Sequence, residues 1–138
     1  MKSLNIYLNF SGNCQEAFNF YQSVFGGELT NRMTYGEMSG DNSSIAEKEK
    51  LIHIRLQVGI ATLMGGDRPD SMGATVNGNA YTVSFVTEDE VEALEVFDKL
   101  SKNGMVLMPM GDSFWGSKFG MLNDQFGIQW MVNCEIKK

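Results

Sequence analysis

Leu4-Asn5-Ile6-Tyr7-Leu8-Asn9-Phe10, followed by Asn13-Cys14-Gln15-Glu16-Ala17-Phe18-Asn19-Phe20-Tyr21 and closed by Gly26-Gly27, is the stretch whose reading decides the fold. Its first seven residues alternate with period two, which predicts a strand with Leu4, Ile6, Leu8 and Phe10 on one face and Asn5, Tyr7 and Asn9 on the other. Asn13 and Glu16 then stand at capping-box spacing, and Ala17, Phe18, Tyr21, Val24 and Phe25 form one apolar stripe, so a helix follows. Gly26-Gly27 supplies residues that tolerate the left-handed conformation in which helices commonly end.

The same order of signals recurs downstream. Tyr81-Thr82-Val83-Ser84-Phe85-Val86 alternates as a strand, Thr87 and Glu90 have capping-box spacing, Val91, Leu94, Phe97 and Leu100 make a stripe, and Gly104 closes it. Glu16-Ala17 maps onto Glu92-Ala93 by a constant offset, 92 − 16 = 93 − 17 = 76, and under that offset Tyr21 falls on Phe97 and Val24 on Leu100. Such self-similarity marks an internal repeat. Strand-like runs follow each helix: Leu29 to Tyr35, Leu51 to Val58 and Ile60 to Met64, then Met105 to Met108, Phe114 to Leu122 and Ile128 to Asn133. Val58-Gly59 and Asp124-Gln125-Phe126-Gly127 are the predicted turns between the last two strands of each half.

The prediction is an α+β protein of two tandem β-α-β-β-β modules, 1–66 and 80–138, joined by a linker at 67–79. Two polar stretches, Gly36 to Lys50 and Gly65 to Asn79, are expected to be mobile loops.

A helix lying on one face of a small sheet requires apolar partners there. The even residues of the first strand, Ile52, Ile54, Leu56 and Val58, then Tyr81, Val83 and Phe85, and finally Ile128, Trp130 and Val132 are therefore expected under the helices. The opposite faces carry Tyr7, His53, Arg55 and Gln57 in the first half and Thr82, Ser84, Gln129, Met131 and Asn133 in the second. Periodicity leaves open whether those faces line a pocket or are solvated sheet surface.

With 138 residues, 43% of them apolar, the chain can bury a core of its own. Its net charge of −6 and pI of about 4.7 leave no basic stripe for a nucleic-acid backbone, so neither nucleic acid nor an anionic membrane is an expected partner. No apolar run reaches the roughly eighteen residues of a membrane span, and the first residues lack a secretory apolar segment, so a cytoplasmic location is expected. Cys14 and Cys134 lack CxxC or zinc spacing and read as reduced thiols.

The two βαβββ modules, with Glu16-Ala17-Phe18-Asn19-Phe20-Tyr21 in the first helix, resemble the vicinal-oxygen-chelate (glyoxalase/bleomycin resistance/dihydroxybiphenyl dioxygenase) superfamily over Leu4 to Asn133. Ile60-Ala61-Thr62-Leu63-Met64-Gly65-Gly66-Asp67, Phe114-Trp115-Gly116-Ser117-Lys118-Phe119-Gly120 and Asp124-Gln125-Phe126-Gly127-Ile128-Gln129-Trp130 are similar to its PhnB-like branch, which also carries a 3-demethylubiquinone 3-methyltransferase-like label. The resemblance implies curved mixed sheets around a cup, a small-molecule ligand and a homodimer. Metal-dependent members place four His or Glu ligands in the cup. Carried onto this chain those positions are Asn5, Leu63, Thr82 (or Tyr81) and Met131, none a carboxylate or imidazole, so the expectation is no metal and no cofactor.

Candidate ligand-binding residues are Asn5, Tyr7, His53, Arg55, Thr82, Trp115, Phe119, Met121 and Met131. Trp115, Phe119 and Met121 are expected on one strand face as an aromatic and thioether wall, and ten methionines give adaptable packing. His53, the single histidine, is the one candidate for general acid–base work, and Arg55 either clamps an anion or makes a structural ion pair. The expectation is a metal-free small-molecule-binding module. The alternative is a lyase, isomerase or dioxygenase that depends on a metal or on His53, so whether the chain is an enzyme stays open. A methyltransferase is disfavoured, because no Gly-rich loop joins a strand to a helix in the manner of an S-adenosylmethionine site.

Overall fold

The computed structural model describes residues 2–39 and 48–135, and the chain divides into two compact units, Met1–Val76 and Asn77–Lys138. The first contains β1 (Ile6–Phe10), α1 (Cys14–Phe25), β2 (Leu29–Thr34), a short α2 (Tyr35–Ser39), β3 (Leu51–Val58) and β4 (Ala61–Asp67), followed by a 3-10 turn at Asp70–Met72. The second contains β5 (Val83–Thr87), α3 (Glu90–Ser101), β6 (Met105–Asp112), β7 (Lys118–Asn123) and β8 (Gln129–Cys134). Each unit folds its strands into one four-stranded mixed sheet, ordered β1-β4-β3-β2 in the first and β5-β8-β7-β6 in the second. In each, the first strand runs parallel to the last and the remaining pairs are antiparallel. The repeat is carried into three dimensions: the two long helices begin and end at the offset read in the sequence, 90 − 14 = 101 − 25 = 76.

Each helix covers one face of its own sheet. Phe18 and Tyr21 are fully buried against Ile54, Leu56 and Leu63, with Phe10 meeting Phe18 edge to face. The helix approaches β4 so closely that a Cβ on Gly65 would overlap the Phe18 ring. In the second unit Ala93, Val96, Phe97 and Leu100 pack on Leu122, Trp130 and Val132, and a Cβ on Gly120 would press on Phe97. The α3 stripe is thus 93, 96, 97 and 100; Val91 and Leu94, expected on it, lie on the exposed side.

Local capping patterns located the helix starts and misassigned the acceptors. Asn13 makes no side-chain cap. The start of α1 is held instead by buried Asp67, whose Oδ1 accepts from Gly12 N (2.9 Å) and Cys14 N (3.0 Å) while Oδ2 accepts from Leu51 N (2.9 Å). In α3 the cap is Asp89, accepting from Glu92 N, and Thr87 hydrogen-bonds Glu92 rather than Glu90.

Several boundaries differ from expectation for related reasons. Gly65-Gly66-Asp67, expected at the start of a mobile loop, are buried in β4: Gly65 leaves room for the Phe18 ring of the helix, Gly66 for the Tyr7 hydroxyl and the Ile52 carbonyl on the other face, and the Asp67 carboxylate accepts from backbone N–H groups. Part of the other expected loop is the helix Tyr35–Ser39, and its residues 40–47 lie outside those described. Leu4 and Tyr81 flank their strands and are almost wholly exposed, and Ile6 and Ile52 are less covered than expected, whereas Leu51 is fully buried. β6 extends to Asp112, and Trp115 sits in the turn before β7. Both predicted turns form: Gly59 (φ 57°) follows β3, and Asp124 Oδ1 accepts from Phe126 N and Ile128 N in a turn where Gly127 has φ 87°.

Candidate functional site

The sheet faces turned away from the helices are where functional side chains can reach a ligand. Strand register places Tyr7, Met64 and Arg55 in one row across the first sheet, with Thr30 beyond, and sets Met33 opposite His53 in the next row. Tyr7, His53 and Arg55 are brought together. The Tyr7 and His53 rings stack with centroids 5.9 Å apart, and Arg55 Nε donates to His53 Nε2 at 3.0 Å. Tyr7 Oη donates to the Ile52 carbonyl at 2.5 Å, crossing the space above Gly66, where a Cβ would strike both that hydroxyl and that carbonyl. Glycine at 66 is therefore what lets the phenol reach its acceptor.

The electrostatics follow from this packing. Burial, then the Arg55 guanidinium, lowers the His53 pKa, so the ring is neutral at neutral pH and offers Nε2 as an acceptor. Burial raises the Tyr7 pKa, with smaller contributions from Cys14, Tyr35 and Asp67, so its proton stays in place to donate. Asn5 does not join the group: it precedes β1 and bonds Ser3.

On the second sheet, one row holds Ser84, Met131, Met121 and Met108, and the next holds Val86, Asn133, Phe119 and Gly111. Trp115, although outside the strand, meets Phe119 edge to face at 5.6 Å, so the wall of Trp115, Phe119, Met121 and Met131 forms with its tryptophan supplied by a turn. Thr82 Oγ1 accepts from Gln129 Nε2 at 2.6 Å at the end of this face. Within the wall, Asn133 Oδ1 is buried and has no hydrogen-bond partner among the described residues.

The residues at the superfamily's metal positions do not fit a divalent cation. Leu63 points into the core beneath α1, because β4 alternates with Thr62 and Met64 on its other face, so parity as well as chemistry removes it. Asn5, Thr82 and Met131 provide two neutral oxygens and a thioether, a poor donor set for such an ion. Among the described residues no three His, Cys, Asp or Glu side chains converge into a metal-binding group. Asp67 and Asp124 have structural roles; Asp124 Oδ2 accepts from the buried Trp130 indole at 2.9 Å. Sequence reasoning missed Asp67, Gly66 and the Asn133 acceptor. Asp67 stood in a quoted motif, but only the strand running through it shows that its carboxylate is buried.

Two βαβββ units in one chain define a class of proteins. Residues 3–132 match the family described as Glyoxalase/Bleomycin resistance protein/Dioxygenase superfamily. Protein YjdN of Escherichia coli (strain K12) is 30% identical, over 94% of this chain and 93% of that one. The crystal structure of protein PA1353 from Pseudomonas aeruginosa superposes with a TM-score of 0.83 at 37% identity, covering 98% of this chain and 100% of that one. A Bacillus cereus structure described as a putative 3-demethylubiquinone-9 3-methyltransferase, PhnB protein, gives 0.77 at 28% identity over 97% and 100%. The chain belongs to the glyoxalase/bleomycin resistance protein/dioxygenase superfamily and is PhnB-like within it.

Proposed function

We propose that the protein is a metal-free small-molecule-binding module that holds an apolar or aromatic compound on the inner face of its second sheet. The observation that carries this reading is Asn133 Oδ1, a buried acceptor without a donor among the described residues, set among Phe119, Met121 and Met131. An unmade hydrogen bond in such surroundings costs about 1–3 kcal/mol, which a ligand bearing an O–H or N–H recovers when it binds. Methionine side chains re-pack at little cost, so they can part to admit a flat molecule. Acid–base chemistry through His53 has less support, because the Nε2 lone pair is already occupied by Arg55. The mixed sheets likewise give no support to methyl transfer, which ordinarily uses a parallel sheet with a Gly-rich turn. The same reading includes a second copy of the chain as partner and a cytoplasmic setting; no helix among the described residues is long and apolar enough to cross a membrane.

The test pairs elemental analysis of the purified protein with calorimetric titration of phenol and toluene, which differ in size by little and in hydrogen-bond donation entirely. Expected are no stoichiometric divalent metal and tighter binding of phenol, with the preference lost in Asn133→Leu. Bound metal, or equal affinity for both probes in the wild type, overturns the reading.

A further inference from the structure

We propose that Arg55 is the anion contact of a second binding site, on the inner face of the first sheet, and that this site takes an aromatic carboxylate. The inference goes beyond the reading above and uses none of the same residues. Arg55 stands exposed on β3, on the face away from α1, in a chain with seventeen acidic residues and a net charge of −6. Among the described residues it nevertheless forms no ion pair, and its hydrogen bond is to a neutral imidazole. A guanidinium whose Nε is committed to His53 keeps its Nη1 and Nη2 donors together on one edge, the arrangement that pairs with both oxygens of a carboxylate.

The cation is also held in place. Arg55 leans on His53, His53 stacks on Tyr7, and Tyr7 is fixed by its bond to the Ile52 carbonyl across Gly66. Holding the side chain in advance reduces the conformational entropy that binding would otherwise cost. The stacked Tyr7 and His53 rings give a flat surface beside the guanidinium, with Tyr7 42% exposed, which suits a ring attached to the anionic group. A phosphate ester fits less well. A dianion calls for several converging donors, such as a run of backbone N–H groups or a cluster of cations, and among the described residues Arg55 is the one cation that β3 carries. Arg55 is then the binding residue and His53 a positioning residue.

Because His53 is the only histidine, its imidazole Cε1–H proton gives a single line in the proton NMR spectrum that reports on this site without assignment. The line is followed at constant pH and ionic strength while sodium benzoate, benzyl alcohol, sodium acetate or inorganic phosphate is added. Benzoate is expected to shift it saturably, with benzyl alcohol on the order of tenfold weaker, the ratio that loss of one charge-assisted contact produces, and with acetate, which lacks the ring, and phosphate, which lacks the ring and the planar carboxylate, also weaker. In Arg55→Met the line persists and the benzoate response falls by a similar factor. Ligand-detected binding of benzoate survives in His53→Gln, which can still accept from Arg55 Nε, and weakens in His53→Leu, which cannot. A benzoate response unaffected by Arg55→Met, equal responses to benzoate and benzyl alcohol, phosphate binding as tightly as benzoate, or no saturable shift would each overturn the proposal. A benzoate response lost in Asn133→Leu instead would assign the carboxylate to the second sheet and overturn it equally. Phenol binding at that sheet is measured separately, so either site can fail without the other.

Discussion

Protonating His53 would place a second positive charge against the Arg55 guanidinium and remove the lone pair that holds it. Burial of the ring, the larger cause, and this repulsion make the folded protein resist that proton, and the His53 pKa lies below its ordinary value. An unfolded chain takes up the proton near pH 6.5 and the folded chain only at lower pH. The stability gained from neutral His53 is thus fully present above about pH 6.5 and declines as the pH falls from there towards the depressed value. His53→Gln retains an acceptor for Arg55 and cannot titrate. The melting temperature of the wild type should consequently fall relative to that variant between neutral pH and pH 5. Parallel melting curves across that range would mean the ring is not held neutral. The pairing itself was half legible beforehand: strand alternation put His53 and Arg55 on one face with Tyr7, but sequence could not show that the arginine bonds the histidine rather than an acid.

At the scale of an element, the start of α1 depends on a residue 53 positions away from Cys14. Asp67 satisfies three backbone N–H groups at once, from Gly12, Cys14 and Leu51, and so ties the last strand of the unit to its helix and to β3. Replacing it with Ala leaves the Cys14 and Leu51 donors without an acceptor in a buried setting, where each costs about 1–3 kcal/mol, while the more exposed Gly12 N–H can turn to water, so Asp67→Ala should destabilise by roughly 3 kcal/mol. Asp67→Asn should be milder, since one oxygen can still serve α1 while the amide N–H₂ turned to Leu51 N is a donor facing a donor. Urea unfolding with an unchanged m-value measures both; a loss below 1 kcal/mol for Ala would mean water replaces the carboxylate. The same residue explains what local patterns can encode. Asn13 and Glu16 marked where a helix begins, because that depends on neighbours in sequence. Which oxygen caps it depended on β4 passing beneath, a fact set by tertiary register. Gly65 and Gly66 misled for the same reason: glycines suggest a loop unless groups from other elements require their bareness, here the Phe18 ring at Gly65 and the Tyr7 hydroxyl with the Ile52 carbonyl at Gly66.

For the whole molecule, the repeat supplies its own control. Under the offset of 76, the edge strand β2 maps onto the edge strand β6, so that Thr30, Asn31 and Arg32 correspond to Val106, Leu107 and Met108. Both sets are exposed, yet the first is polar and the second apolar. An exposed apolar edge with free backbone donors and acceptors pairs readily with another strand, and proteins that stay monomeric usually interrupt such edges with charge, as Arg32 does in β2. Helix and sheet pairing were legible because they repeat; this difference between equivalent strands was legible too, but its exposure was not, since the same three residues in a central strand would be core. We expect β6 to mediate a homodimer, with light scattering at micromolar concentration giving twice the 15.4 kDa chain mass. Val106→Lys combined with Leu107→Lys should yield a folded monomer, since both side chains are about half exposed, with a melting temperature that no longer depends on protein concentration. A monomeric wild type, or a dimer indifferent to both lysines, would show that this edge is tolerated in isolation and that any partner binds elsewhere.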